Sequence, residues 1–141
     1  MKLQQVLIAL ALVLAVTLAG PVSAQSLPTT QPGPDAAQLS GGLGQSLQDV
    51  YGVVFVGIDG TNIQPRRELW LEPGRYELTV TIDASFFRSP RPGIRRSQIQ
   101  RGANKIEVEV EAGKTYEIRG VFNRDKPVDE AFSVVVWRVT E

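Results

Sequence analysis

Five arginines, Arg88, Arg91, Arg95, Arg96 and Arg101, fall within the eighteen residues Ala84 to Arg101 (ASFFRSPRPGIRRSQIQR), with no acidic residue among them. Guanidinium forks match phosphate and carboxylate groups, and a cluster of them makes a local positive field on a chain without net charge. Phe86 and Phe87 stand at the base of the segment, and Pro90 and Pro92 stiffen it, which lowers the entropy lost on binding. The ligand such a segment would take is an anionic polymer or lipid headgroup. The plainer reading is a solvated hairpin, its Phe residues tucked into a core and its arginines paired with Glu107, Glu109 and Glu111. Trp70, in ELWLE, is the second candidate contact. Alternation sets Leu69 and Leu71 on one face and Trp70 on the other with Glu68 and Glu72, an arrangement suited to stacking on a sugar ring. Packing of Trp70 beneath the long segment is the alternative.

Other chemistry is narrowed by what the chain lacks. It has no His and no Cys, so the usual zinc, copper and iron sites cannot be built, nor can Ser-His-Asp or Cys-His nucleophiles. Glu107, Glu109 and Glu111 lie on one strand face, about 7 Å apart, and one-sided carboxylates do not make an acid/base pair. Asp59-Gly60-Thr61-Asn62 offers oxygen ligands without the spacing or closing acid of a calcium loop, and reads better as a hairpin turn. The expectation is a non-enzymatic protein without metal or cofactor.

The N-terminus indicates where such a protein works. Met1 to Ala24 has one Lys at position 2, an apolar run from Val6 to about Leu18, then Gly20-Pro21 and the small residues Val22-Ser23-Ala24. That order is a secretory signal peptide, cut after Ala24. Its apolar middle is too short to span about 30 Å of hydrocarbon, so no stable membrane span is expected after cleavage. Removing it takes away Lys2 and leaves 14 basic against 15 acidic residues, a net charge of −1. A near-neutral exported chain is a poor partner for nucleic acid.

Residues 25–48 (QSLPTTQPGPDAAQLSGGLGQSLQ) carry Pro28, Pro32, Pro34, Gly41, Gly42 and Gly44 without hydrophobic periodicity, and read as a flexible linker. The folded domain is expected over 49–141, and it must hold by packing alone, since there are no disulfides. Within it the apolar period is 2. Tyr76, Leu78, Val80 and Ile82 alternate with polar residues, as do Ile106, Val108 and Val110. GVVFVGI (52–58) and FSVVVWRV (132–139) are apolar on both faces and read as strands covered on both sides, with Trp137 in the core. Weaker strands are expected over 67–71, 95–100 and 115–122, with turns at Asp59-Gly60, Pro73-Gly74, Gly102-Ala103-Asn104 and Ala112-Gly113. About seven short strands predict an all-β fold: one small antiparallel sandwich of immunoglobulin-like or transthyretin-like type.

One pattern occurs twice: Glu72-Pro73-Gly74-Arg75-Tyr76 and Glu111-Ala112-Gly113-Lys114-Thr115-Tyr116. In each copy a Gly ends a strand at a turn and a Tyr opens the next. The Tyr ring enters the core edge while its hydroxyl reaches loop backbone, as in a tyrosine corner. Gly74, Tyr76, Gly113 and Tyr116 are therefore assigned to architecture.

These turns carry a resemblance. Ile58-Asp59-Gly60, Leu71-x-Pro73-Gly74-x-Tyr76-x-Leu78-x-Val80 and Glu111-Ala112-Gly113-Lys114-Thr115-Tyr116-x-Ile118 resemble those of PEGA-like and carboxypeptidase-regulatory-like sandwich domains of bacterial envelope proteins. The resemblance covers roughly 53–139 and implies a sandwich beside cell-envelope machinery. It implies no catalytic residues, and the acylated Cys of lipoprotein members is missing. Together these readings give a periplasmic or secreted accessory module that contacts an envelope protein or anionic polymer through its loops. The alternative is an assembly component that pairs through a sheet edge or its N-terminal tether. If the arginine segment binds anions, charge reversal at Arg88, Arg91, Arg95 and Arg96 abolishes retention on an anionic resin at low salt; unchanged retention rules that role out.

Overall fold

The hairpin of strands β6 (Gly74–Ile82) and β7 (Asn104–Val110) follows directly from the alternating pattern. The structure, a computed structural model, describes residues 26–83, 92–95 and 104–141. Tyr76 lies opposite Val108 and Leu78 opposite Ile106, so the apolar residues of the two strands line one face. The polar face sets Glu77 directly opposite Glu107, a repulsive pair. Diagonal partners offset it: Lys105 Nζ lies 2.9 Å from Glu77 and Arg75 pairs with Glu107. Beyond the strand, Glu111 pairs with Lys114 across the turn that follows.

Nine strands are described, two more than expected. In chain order the others are β1 (Ala37–Ser40), β2 (Val50–Tyr51), β3 (Val53–Ile58), β4 (Thr61–Arg66), β5 (Glu68–Leu71), β8 (Thr115–Phe122) and β9 (Phe132–Thr140). One sheet runs β4-β3-β6-β7, all antiparallel. In the other, β8 is the hub. Its first half pairs parallel with β1 and its second half antiparallel with β2, β9 pairs antiparallel with its whole length, and β1 continues to β5. The sheets face each other over a core in which Leu39, Phe55, Ile58, Leu71, Leu78 and Ile118 are fully buried. The chain is an all-β sandwich, and apolar burial of this kind supplies most of its stability in the absence of disulfides. Val53–Ile58, Glu68–Leu71 and Thr115–Phe122 fall where periodicity placed strands. Of the expected strand over 95–100, only Arg95 is among the described residues.

The flexible linker expected over 25–48 is corrected from Ser26 onward. Ala37–Ser40 is an interior strand held between β5 and β8, with Ala37 and Leu39 fully buried. Upstream, Thr30 N–H donates to the Trp70 carbonyl (2.9 Å) and Glu72 N–H to the Pro28 carbonyl (3.1 Å), so residues 28–30 lie along the outer side of β5. Two apolar residues are too few to register as a period, and the glycines that suggested disorder serve a different end. At Gly41 and Gly52 two stretches of backbone cross in direct contact. Gly41 N–H donates to the Arg67 carbonyl (2.7 Å), and its own carbonyl accepts from Val53 N–H (3.0 Å). A Cβ at Gly41 would overlap the Val53 carbonyl oxygen, and one at Gly52 would overlap that of Gly42.

The opposite correction applies to FSVVVWRV. Read as covered on both sides, it forms β9, which among the described residues pairs with β8 alone; Ser133 and Val136 to Thr140 are exposed, Trp137 by 49%. A run of β-branched residues has the same pattern whether its neighbours lie inside the chain or must come from elsewhere.

Gly41→Ala is expected to destabilise the fold by about 3 kcal/mol, because backbone must move to admit the methyl group. Gly33→Ala, where a Cβ meets nothing within 4 Å, is expected to stay within about 0.5 kcal/mol of the parent. Urea unfolding of the two variants checks both.

Candidate functional site

The two glutamate–glycine–tyrosine repeats are built as corners. Tyr76 Oη donates to the Glu72 carbonyl at 2.7 Å, and Tyr116 Oη accepts from Glu111 N–H at 2.9 Å. Both hydroxyls therefore return to the glutamate that opens the turn, one to its acceptor and one to its donor. The glycines differ. Gly113 has φ +78°, a left-handed turn position, and its N–H donates to the Ala36 carbonyl (2.9 Å), tying the turn to β1. Gly74 does not share that geometry: its φ of 159° borders on fully extended, and a Cβ there would lie 3.1 Å from Tyr76 Oη. Close packing under the tyrosine explains a glycine at 74. Burial raises the Tyr76 pKa above its ordinary value, with the carboxylates of Glu72 and Asp59 adding to the effect.

Of the arginine segment, Arg88, Arg91, Arg96 and Arg101, together with Phe86 and Phe87, lie outside the described residues. Arg95 is exposed beside Ile94, which is 7% exposed and belongs to the core. Trp70 stands on the outward face of β5, half-buried opposite Gln38, with residues 28–30 alongside.

The feature that sequence reasoning mislocated is β9. A sandwich has four sheet edges, and an edge strand presents unpaired N–H and C=O groups that template further pairing unless something blocks them. Here three edges carry a block. β4 contains Pro65, which has no N–H to offer, and its pairing with β3 is irregular between Phe55 and Gly57. β7 alternates Lys105, Glu107 and Glu109 along its exposed face. β5 is lined by residues 28–30. β9 is the fourth, nine residues long, and Arg138 is its one charge.

Its register explains its shape. Ile118 faces Val136 while Glu117 faces Arg138, so Trp137 is an extra residue that bulges from the ladder. Before the bulge, Phe132 to Val136 pair without interruption with Phe122 to Ile118. Phe132, Val134 and Val136 lie opposite the inward-facing Phe122, Gly120 and Ile118, and Phe132 and Val134 pack against the core. Phe132 is fixed further by ring contacts to Phe122 (4.9 Å between centroids) and Tyr51 (6.0 Å). After the bulge, Arg138 anchors the strand through Glu117 (2.7 Å), which also faces Arg119 (3.4 Å). Arg119 itself donates to the Ser40 carbonyl (2.9 Å) and Ile118 carbonyl (2.8 Å). Burial lowers its pKa from the ordinary value; Glu117 opposes that shift and Arg138 reinforces it. Trp137 and Leu43 line a cleft of about 90 Å³ over these ions. Leu43 is 68% exposed, so the apolar surface of β9 continues onto its neighbour.

The sequence signal for this site was the unbroken Val134-Val135-Val136-Trp137 run with a single charge after it. Comparison with protein-family models, with curated proteins and with solved structures finds no match to this chain.

Tyr76→Phe is expected to cost about 1 kcal/mol, the worth of one partly buried hydroxyl bond. The pH dependence has a defined sign. The folded state raises the Tyr76 pKa, so the unfolded chain ionises first and stability is full below pH about 10 and falls above it. Urea midpoints measured across that range check both points, since the alkaline loss is smaller in Tyr76→Phe.

Proposed function

We propose that this protein is a non-enzymatic component of the bacterial envelope, exported by its N-terminal leader, that joins its partner by adding a strand to β9. The observation that carries this reading is the contrast between edges. β4, β7 and β5 carry proline, charge or covering chain, whereas β9 exposes Val136, Trp137 and Val139 and, among the described residues, has no strand paired to its outer edge. Strand addition draws affinity from main-chain hydrogen bonds and specificity from alternate side chains, and it needs no catalytic group. A chain without His or Cys and with balanced charge suits that role. The likeness of its turns to PEGA-like and carboxypeptidase-regulatory-like domains supports an accessory place beside envelope machinery.

The competing source of binding is the arginine segment, and salt separates the two. Pairing through an apolar edge tolerates ionic strength, whereas contacts from exposed arginines weaken steeply with it. The test is co-sedimentation of the purified protein with isolated envelopes from about 0.05 to about 0.5 M salt. The expected result is binding that persists across the series and is lost in Val136→Lys. Binding that falls with salt and survives Val136→Lys overturns the edge and returns the function to Ala84–Arg101.

A further inference from the structure

We infer that residues 26–30 are a detachable guard on β5, and that the edge beneath them is a separate acceptor for an extended basic peptide. This site does not depend on β9. The guard runs antiparallel to β5 with Thr29 opposite Leu71, which sets Pro28 opposite Glu72 and Thr30 opposite Trp70. Among the described residues two backbone bonds hold it, Thr30 N–H to the Trp70 carbonyl (2.9 Å) and Glu72 N–H to the Pro28 carbonyl (3.1 Å). Its prolines explain why there are so few. Residues 28 and 30 turn toward β5 and 32 is the next such position, and two of these three are proline, which has no N–H to give. The Glu72 carbonyl, left without a donor from Pro28, accepts from Tyr76 Oη instead (2.7 Å). The chain bends away at Pro32. Ser26, Leu27 and Thr29 are exposed, so the guard adds little buried surface to its two bonds. A segment held this lightly opens at far lower free energy than the fold as a whole.

The edge it covers is complementary to a strand that carries cations. Glu68, Trp70 and Glu72 share one face of β5 and its continuation, with both carboxylates exposed. Glu77, Glu107, Glu111 and Glu117 each hold a cation, whereas Glu68 and Glu72 form no ion pair among the described residues. The guard gives them none, because residues 26–34 are uncharged. An incoming strand in the guard's register sets alternate residues opposite Glu72, Trp70 and Glu68, with N–H groups where the guard has proline. Lys or Arg at the first and last of these positions meets a carboxylate directly across the strands, and a β-branched residue between them packs beside Trp70. Main-chain bonds then supply affinity, and the alternate side chains supply specificity.

Amide hydrogen exchange of the purified protein tests both parts. The Thr30 and Glu72 amides are expected to exchange together, on the order of 100-fold faster than the Gly41 and Val53 amides of the backbone crossing. Exchange of all four at one rate overturns the detachable guard. The probe for the acceptor is the capped peptide Ser-Lys-Thr-Val-Thr-Lys-Ser, added up to millimolar concentration, with Glu in place of both Lys as the control. The expected result is slower exchange at Glu72 and faster exchange at Thr30 with the lysine peptide, and neither with the control. The incoming strand takes over the Glu72 bond and frees the guard. No change at either amide overturns the acceptor, and the same change with both peptides overturns its preference for basic strands. Thr30→Pro removes the amide that the guard bonds to Trp70. In that variant exchange at Glu72 rises and the lysine peptide suppresses it; a Glu72 amide as protected as in the parent counts against the guard. Should Thr30→Pro fail to fold, the parent measurements decide alone.

Discussion

The backbone crossing at Gly41-Gly42 and Gly52-Val53 is the contact on which both sheets depend. It holds the end of β1 and the start of β5 against the start of β3 and the end of β6. Gly41 bonds to Arg67 and Val53, and Gly52 accepts from Asp83 N–H at 2.8 Å. Arg67 adds an ion pair to Asp83, whose side chain is 9% exposed, and donates to the Gly42 carbonyl at 3.2 Å. Buried backbone groups must find partners, and a crossing this close provides them only where no side chain intervenes. Without it β1 would not reach the middle of its sheet, and β8 would lose its parallel neighbour.

β8 converts that local contact into a global arrangement. One side of it is filled by two short strands, β1 and β2, and the other by β9 alone. The first side is fixed by the crossing and by Arg119, whose guanidinium lies beneath Gly42 and bonds to Ser40. The second side is fixed by the Phe132 rings at one end and the Glu117–Arg138 pair at the other. Nothing among the described residues lies beyond β9 in that sheet. The apolar run of β9 is thus fixed at both ends by contacts within its own sheet.

The two tyrosine corners show why repetition is a poor guide to chemistry in a sandwich. Each strand must leave its sheet at a turn whose backbone groups face solvent on one side and core on the other. A tyrosine satisfies both, with its ring in the core edge and its hydroxyl on the turn. Glu72 and Glu111 recur because their backbone, not their carboxylate, meets the hydroxyl. That solution used twice produces a repeat without producing a site.

The sequence by itself determined the class of the fold, the alternation of β6 and β7, the Asp59-Gly60 hairpin and the tyrosine corners. All of these rest on interactions between residues close in the chain or on period-2 burial, which a linear pattern records. Tertiary structure alone decided the roles of the segments where pattern is silent. Gly41 carries the same letter whether it loosens a tether or admits a crossing strand, and only the position of Val53 tells which. Ala37 and Leu39 are core because β5 and β8 flank them, not because two apolar residues announce a strand. The Val134–Trp137 run was legible as a strand, yet its place at an edge was not. Burial on both faces and a place at a sheet edge are both compatible with the same β-branched residues, and the number of neighbouring strands is a property of topology rather than of sequence.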